Sequence, residues 1–152
     1  MPIEPFANNP SLIMMRGPVV ACVVGLPIAQ PQPQNQPIAI NPGDLHQIGA
    51  LLDTGASNCC INPSLANRLN LPIAGYGPMT DASGNTTTSK IRSGCLGFLL
   101  KGGQIFKMFS AIPFIELPKD LPHHTVVIGR NMMASFKSLY FTFNTGEYMI
   151  HF

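Results

Sequence analysis

Apolar residues along this chain gather in short runs rather than at helical intervals, and many of the runs are β-branched. Pro18-Val19-Val20-Ala21-Cys22-Val23-Val24-Gly25 predicts a first strand on that ground. Ala50-Leu51-Leu52 runs straight into Asp53-Thr54-Gly55, which predicts a strand buried on both faces and a tight turn behind it. Val126-Val127-Ile128, closed by Gly129, repeats that pattern much later in the chain. Between the two, Asn58-Cys59-Cys60-Ile61 predicts another strand. Asn62 followed by Pro63 predicts a capped short helix from Ser64 to Leu69, with Leu65, Ala66 and Leu69 toward the core. Gly75, Gly77 and Pro78 read as a further break.

The polar, Thr-rich stretch from Met79 to Ile91 predicts a hairpin with its tip near Ala82 to Asn85. A second hairpin is expected from Gly94 to Ser110, turned at Lys101-Gly102-Gly103-Gln104, with a separate strand from Ala111 to Ile115. Pro118 and Pro122 mark a loop. Asn131 to Phe136 suits a helical turn, and Ser138 to Phe143 with Glu147 to Phe152 suits a terminal strand pair across Asn144-Thr145-Gly146. Two segments carry no such period. Residues 1–17 read as an irregular arm, with Ile13-Met14-Met15 an apolar run inside it. Nine of the fifteen prolines fall by residue 42, so 26–47 reads as a long Pro/Gln-rich loop. An all-β domain over 18–152 with one or two short helices is the expected fold class.

Composition narrows the classes. With 152 residues there is enough chain for one domain with a real core. The net charge is only +2, and the basic residues are scattered, which argues against a nucleic-acid surface. Cys22, Cys59, Cys60 and Cys95 show no metal-binding spacing, and adjacent Cys59 and Cys60 on a strand point to opposite faces. Free thiols in a reducing compartment, with no metal and no cofactor, are the simplest account. The first residues show neither a basic start nor an apolar stretch, and no run reaches membrane-spanning length, so a cytoplasmic chain without membrane contact is expected.

The chemistry centres on Asp53. Ionisation is costly for a carboxylate at the end of a buried strand, and Gly55 leaves room for other groups to approach it. Asp-Thr-Gly is also an ordinary turn after a strand. The later run Thr125-Val126-Val127-Ile128-Gly129-Arg130-Asn131 decides between the two readings. Together, the apolar-apolar-Asp-Thr-Gly-Ala and apolar-apolar-Gly-Arg-Asn motifs, in that order, resemble the retropepsin-like aspartic proteases over roughly Pro18 to Phe152.

That resemblance implies a closed, barrel-like acid-protease fold with a flap hairpin, acting as a homodimer on peptide or protein substrates. Hydrolysis of this kind uses two carboxylates that share one proton, because like charges so close cannot both ionise. Only Asp53 of the seven acids stands in an Asp-Thr-Gly setting, so each of two chains would supply one. By the same resemblance Thr54 hydrogen-bonds across the dimer axis and Gly55 carries the turn. The terminal strands, including Tyr148 to Phe152, would form the shared interface. Ala56 stands where two-lobed relatives have a hydroxyl that stabilises the ionised Asp, which shifts expected activity toward weakly acidic or neutral pH. Strand alternation with the family pattern places Asn58, Cys60, Thr125 and Val127 on the cleft walls, and Ala82, Ser83 and Gly84 on the flap. Such uncharged walls favour extended substrates with hydrophobic residues at the cut bond.

Arg130 departs from the pattern. Retroviral members commonly pair it with an acid directly after Asp-Thr-Gly-Ala, whereas this chain has Ser57 and then Asn58. If the chain is a protease, Ile13-Met14-Met15 is a candidate self-cleavage region. His123-His124 reads as part of a solvated loop. A serine hydrolase lacks its Gly-x-Ser-x-Gly run here, and a zinc site lacks its ligand spacing. The alternative to be weighed is a catalytically silent dimer of the same fold that binds peptides or scaffolds partners.

Overall fold

The computed structural model describes residues 2–3, 17–28 and 44–152. Most of the arm expected over 1–17, the self-cleavage candidate at 13–15 and the centre of the Pro/Gln-rich loop lie outside the described residues. Among those described, the strands are β1 (Pro2–Ile3), β2 (Val19–Gly25), β3 (Leu45–Leu52), β4 (Cys60–Ile61), β5 (Ile73–Thr80), β6 (Thr86–Leu99), β7 (Ile105–Glu116), β8 (Val126–Ile128), β9 (Ser138–Thr142) and β10 (Glu147–His151). Helix α1 spans Pro63–Arg68 and α2 spans Arg130–Met133.

Six strands close a barrel in the order β2-β3-β8-β4-β7-β6, with β6 returning to pair β2 and β5 added outside β6. Parallel pairs join β3 to β8 and β4 to β7, while the remaining barrel pairs are antiparallel. Alternate residues fill the interior: Val20, Cys22 and Val24 from β2, Ile48, Ala50 and Leu52 from β3, and Leu96 and Phe98 from β6. Ile112 and Phe114 from β7 and Val126 and Ile128 from β8 complete it. Full burial of the Val, Leu, Ile and Phe side chains among these stabilises by about 1.5–3 kcal/mol each. A second sheet of order β1-β10-β9 packs on the barrel through buried Tyr148 and Ile150. The Tyr148 hydroxyl accepts the Ala21 N–H at 2.8 Å and so fastens this sheet to β2.

Several boundaries differ from the sequence reading. The loop expected to run to Gln47 ends sooner: Leu45, His46 and Gln47 already belong to β3, paired with Gly25, Val24 and Val23. Gly75, Gly77 and Pro78 do not break the chain but lie in β5, which tolerates proline because it is an edge strand. The two expected hairpins share a single strand, β6, whose first part pairs β5 while its later part pairs β7 and β2. The separate strand at Ala111 to Ile115 is the continuation of β7, with register shifts marking the bends.

Asn62 occupies the position before α1, yet its side chain makes no capping bond. It serves the 121–124 loop instead, accepting the Leu121 N–H at 3.0 Å and donating to the His124 carbonyl at 2.8 Å. The helix is capped from a distance by Asp120, which accepts the Ser64 N–H at 3.1 Å and the Ser64 hydroxyl. His124 therefore belongs to a tethered loop, while His123 is exposed. No helix among the described residues is long and apolar enough to cross a membrane.

Candidate active site

Asp53 follows β3 directly, and parallel pairing with β8 fixes where it emerges. Leu51 and Leu52 pair Val127 and Ile128, and the Asp53 N–H extends the ladder to the Ile128 carbonyl at 3.0 Å. The chain then turns: Ala56 N–H donates to the Asp53 carbonyl at 3.1 Å, and Gly55 N–H donates to the Asp53 carboxylate Oδ1 at 2.8 Å. Asp53 is half-buried, while Thr54 and Gly55 are exposed. A Cβ on Gly55 would sit 3.0 Å from that same carboxylate oxygen. A side chain there would crowd the carboxylate, which would have to shift by a few tenths of an ångström.

Downstream, the 56–58 segment threads past the end of β8. Arg130 N–H donates to the Ala56 carbonyl at 2.9 Å and Asn131 N–H to the Ser57 carbonyl at 3.1 Å. The pass is so tight that a Cβ on Gly129 would fall 2.4 Å from the Asn58 carbonyl oxygen. Arg130 finds the partner that sequence reasoning could not name: its Nη2 donates to the Ser57 hydroxyl at 2.9 Å. Asn131 Oδ1 lies 3.5 Å from the Cys59 thiol, which binds α2 back to the strand it crosses. The two motifs are thus one interlocked unit.

Alternation separates the two faces of the 59–61 segment and β8. Cys59, Ile61, Val126 and Ile128 belong to the barrel core. Cys60 and Val127, paired directly across the ladder, lie on the other face. Burial first, then the charges of Cys59 and Asp53, push the Cys60 thiol up to about 11. All four cysteines are buried and free. Asn58 is exposed, and Thr125 is half-buried with its carbonyl accepting the Asn62 N–H at 2.8 Å.

At the Ala82, Ser83 and Gly84 tip the hydrogen bonds run within the hairpin. Asp81 Oδ1 accepts the Ser83 and Asn85 N–H groups, both at 2.9 Å, and Gly84 takes a φ of +84° to close the turn. Sequence reasoning missed one buried group near the base of this hairpin. Arg92 donates to Glu116 at 2.6 Å, to the Leu71 carbonyl at 2.8 Å and to Asn67 at 2.8 Å. Its long separation in sequence from each partner left no local signal.

A family model for aspartyl proteases matches residues 37–131. The chain belongs to the aspartyl protease family. The matched stretch runs from ahead of β3 to Asn131 and so contains both halves of the interlock that holds Asp53. No curated protein matches the chain. Among solved structures it is similar to a retropepsin-like aspartic protease from Rickettsia conorii at 17% identity and a TM-score of 0.47. That alignment covers 68% of this chain and 73% of the other. Membership of the aspartyl protease family agrees with the reading taken from Asp53-Thr54-Gly55 and Ile128-Gly129-Arg130.

Proposed function

We propose that this aspartyl protease is a retropepsin-type endopeptidase. Its reacting unit would be a pair of Asp53 carboxylates, one from each of two identical chains. The observation that carries the reading is the placement of Asp53, half-buried at the mouth of the barrel and held by Gly55 and β8 inside the family-matched stretch. A single copy brings no second acid to that loop among the described residues. An ionised Asp53 would take a proton from water while its protonated mate hydrogen-bonds the scissile carbonyl. Thr54 would join the two loops across the axis, and the β9–β10 sheet would supply dimer contacts.

Substrate would lie extended along Ala56, Asn58, Cys60, Thr125 and Val127, covered by a flap whose tip is Ala82, Ser83 and Gly84. The apolar character of Cys60 and Val127 supports a preference for hydrophobic residues beside the cut bond. With Ala56 lacking a hydroxyl, optimum activity belongs at weakly acidic or neutral pH.

The test is incubation of the full chain with an unstructured protein, beside Asp53→Asn and a pepstatin-like inhibitor. Cleavage that disappears in Asp53→Asn supports the mechanism, and cleavage that survives the substitution removes it. No cleavage by either form would leave the silent peptide-binding dimer as the reading.

A further inference from the structure

Arg130 is exposed beside the candidate site, and its charge is not matched by any acid of the described chain. Its guanidinium carries five N–H donors in a planar fork. Among the described residues its side-chain hydrogen bond goes to one neutral acceptor, the Ser57 hydroxyl at 2.9 Å. The ion pairs among those residues both belong to Glu116, with Lys90 and Arg92.

The other acids are placed elsewhere. Asp81 holds the hairpin tip, Asp120 caps α1, and Glu147 contacts Thr145. Asp53 accepts from Gly55, while Asp44 precedes β3 and so stands at the opposite end of that strand from Asp53.

Resting on the proposed protease reading, we infer that Arg130 is a specificity-determining residue that binds an acidic side chain of the substrate. Ser57 fixes the guanidinium through one donor and leaves the rest of the fork open. A carboxylate offers planar, two-oxygen complementarity to that fork. Backbone bonds from Arg130 to Ala56 and from Asn131 to Ser57 keep the group in register with the Asp53 loop. Ser57 follows Asp53 by four residues, so their Cα atoms are at most about 14 Å apart. At roughly 3.3 Å per residue, an extended peptide covers that span within about four residues of the cut bond. The preferred substrate is therefore hydrophobic at the cut bond and carries Glu or Asp a few residues away.

The experiment uses peptide pairs that differ only as Glu against Gln, with the variable position moved across four residues on either side of one cut bond. The readout is the ratio of kcat/KM within each pair. The parent chain is expected to favour Glu about fivefold at one position, with the ratio shrinking as salt rises. Arg130→Gln is expected to bring that ratio to about one. Ser57→Asp, which sets a carboxylate against the guanidinium while keeping Arg130, is expected to do the same and guards against a folding defect in the first variant. Equal cutting of Glu and Gln peptides by the parent at every position would overturn the inference and leave the protease reading standing. A Glu preference that outlives both substitutions would also overturn it. If the parent chain cuts no peptide of either kind, the protease reading itself fails. Absence of any Glu preference in the parent together with dissociation of Arg130→Gln into single chains would assign the guanidinium to a carboxylate of a second copy instead.

Discussion

Replacing Gly129 by Ala is expected to cost about 3 kcal/mol of stability and to abolish cleavage. The backbone at Gly129 has a φ of −93°, which any residue adopts, so conformational freedom is not the reason for glycine. The reason is space. An added methyl would lie 2.4 Å from the Asn58 carbonyl oxygen, 2.5 Å from its carbon and 2.8 Å from its nitrogen. Comfortable separations for such atoms are about 3.5 Å, so the two segments must part by roughly 1 Å. All three obstacles are backbone, and no side chain can swing aside to relieve them. Parting the segments strains the bonds Asp53 N–Ile128 O, Arg130 N–Ala56 O and Asn131 N–Ser57 O, which measure 3.0, 2.9 and 3.1 Å. At about 1 kcal/mol net for each, their loss gives the stated figure. For a domain of this size that corresponds to a fall of about 6–12 °C in Tm. Thermal melts followed by circular dichroism measure it, with Gly75→Ala as the control. Gly75 has nothing within 4 Å of its added Cβ, lies on the edge strand and should leave Tm nearly unchanged. A Gly129→Ala protein that melts within about 2 °C of the parent would show that the close pass does not hold the Asp53 loop.

Two further outcomes follow from groups away from the site. Arg92→Met leaves Glu116 largely buried with only Lys90, at 3.9 Å, to meet its charge, and should cost about 3 kcal/mol, read as a lower urea midpoint. Two hydrogen bonds from Ser64 hold the Asp120 carboxyl below its ordinary value of 3.8, so its contribution is complete above that value and is lost as pH falls through the lowered one. Asp120→Asn should therefore unfold at lower urea than the parent at about pH 6, with the two midpoints converging as pH falls through the lowered carboxyl value; a gap that stays constant with pH would contradict this.

What the sequence made legible follows the range of the interactions involved. The strands β2 and β8 show as runs of Val, Ile and Ala because their burial is a property of consecutive residues. The end of β3 at Asp53 is visible for the same reason. Its beginning is not, since Leu45, His46 and Gln47 are half-buried or exposed and are strand only because β2 lies alongside them. Asn62 followed by Pro63 predicts a helix start correctly but names the wrong cap. The choice between Asn62 and Asp120 depends on a loop more than fifty residues away, as the separation of 56 between Ser64 and Asp120 shows. Arg92 with Glu116 escaped notice on similar grounds. Their pairing depends on the register of β6 against β7, in which Arg92 stands opposite Phe114, and local composition does not encode register. At the site, sequence alone picked out Asp53, Gly129 and Arg130, yet the Ser57 contact needed the two motifs to be seen crossing.

Neighbouring Gly129 and Arg130 therefore do separable work, one by lacking a side chain and the other by the charge it carries. An exposed Arg–Ser hydrogen bond contributes little to folding, whereas a backbone collision cannot be screened or bypassed. Substitution of Gly129 should lower stability and cleavage together, because the geometry of Asp53 depends on how closely β8 passes Asn58. Substitution of Arg130 by Gln should hold Tm within a few degrees while changing which peptides are cut. If Arg130→Gln instead lost as much stability as Gly129→Ala, the guanidinium would be a clamp on the Ser57 loop rather than a reader of substrate charge. The same melts that test the close pass thus also decide how the charge beside it is used.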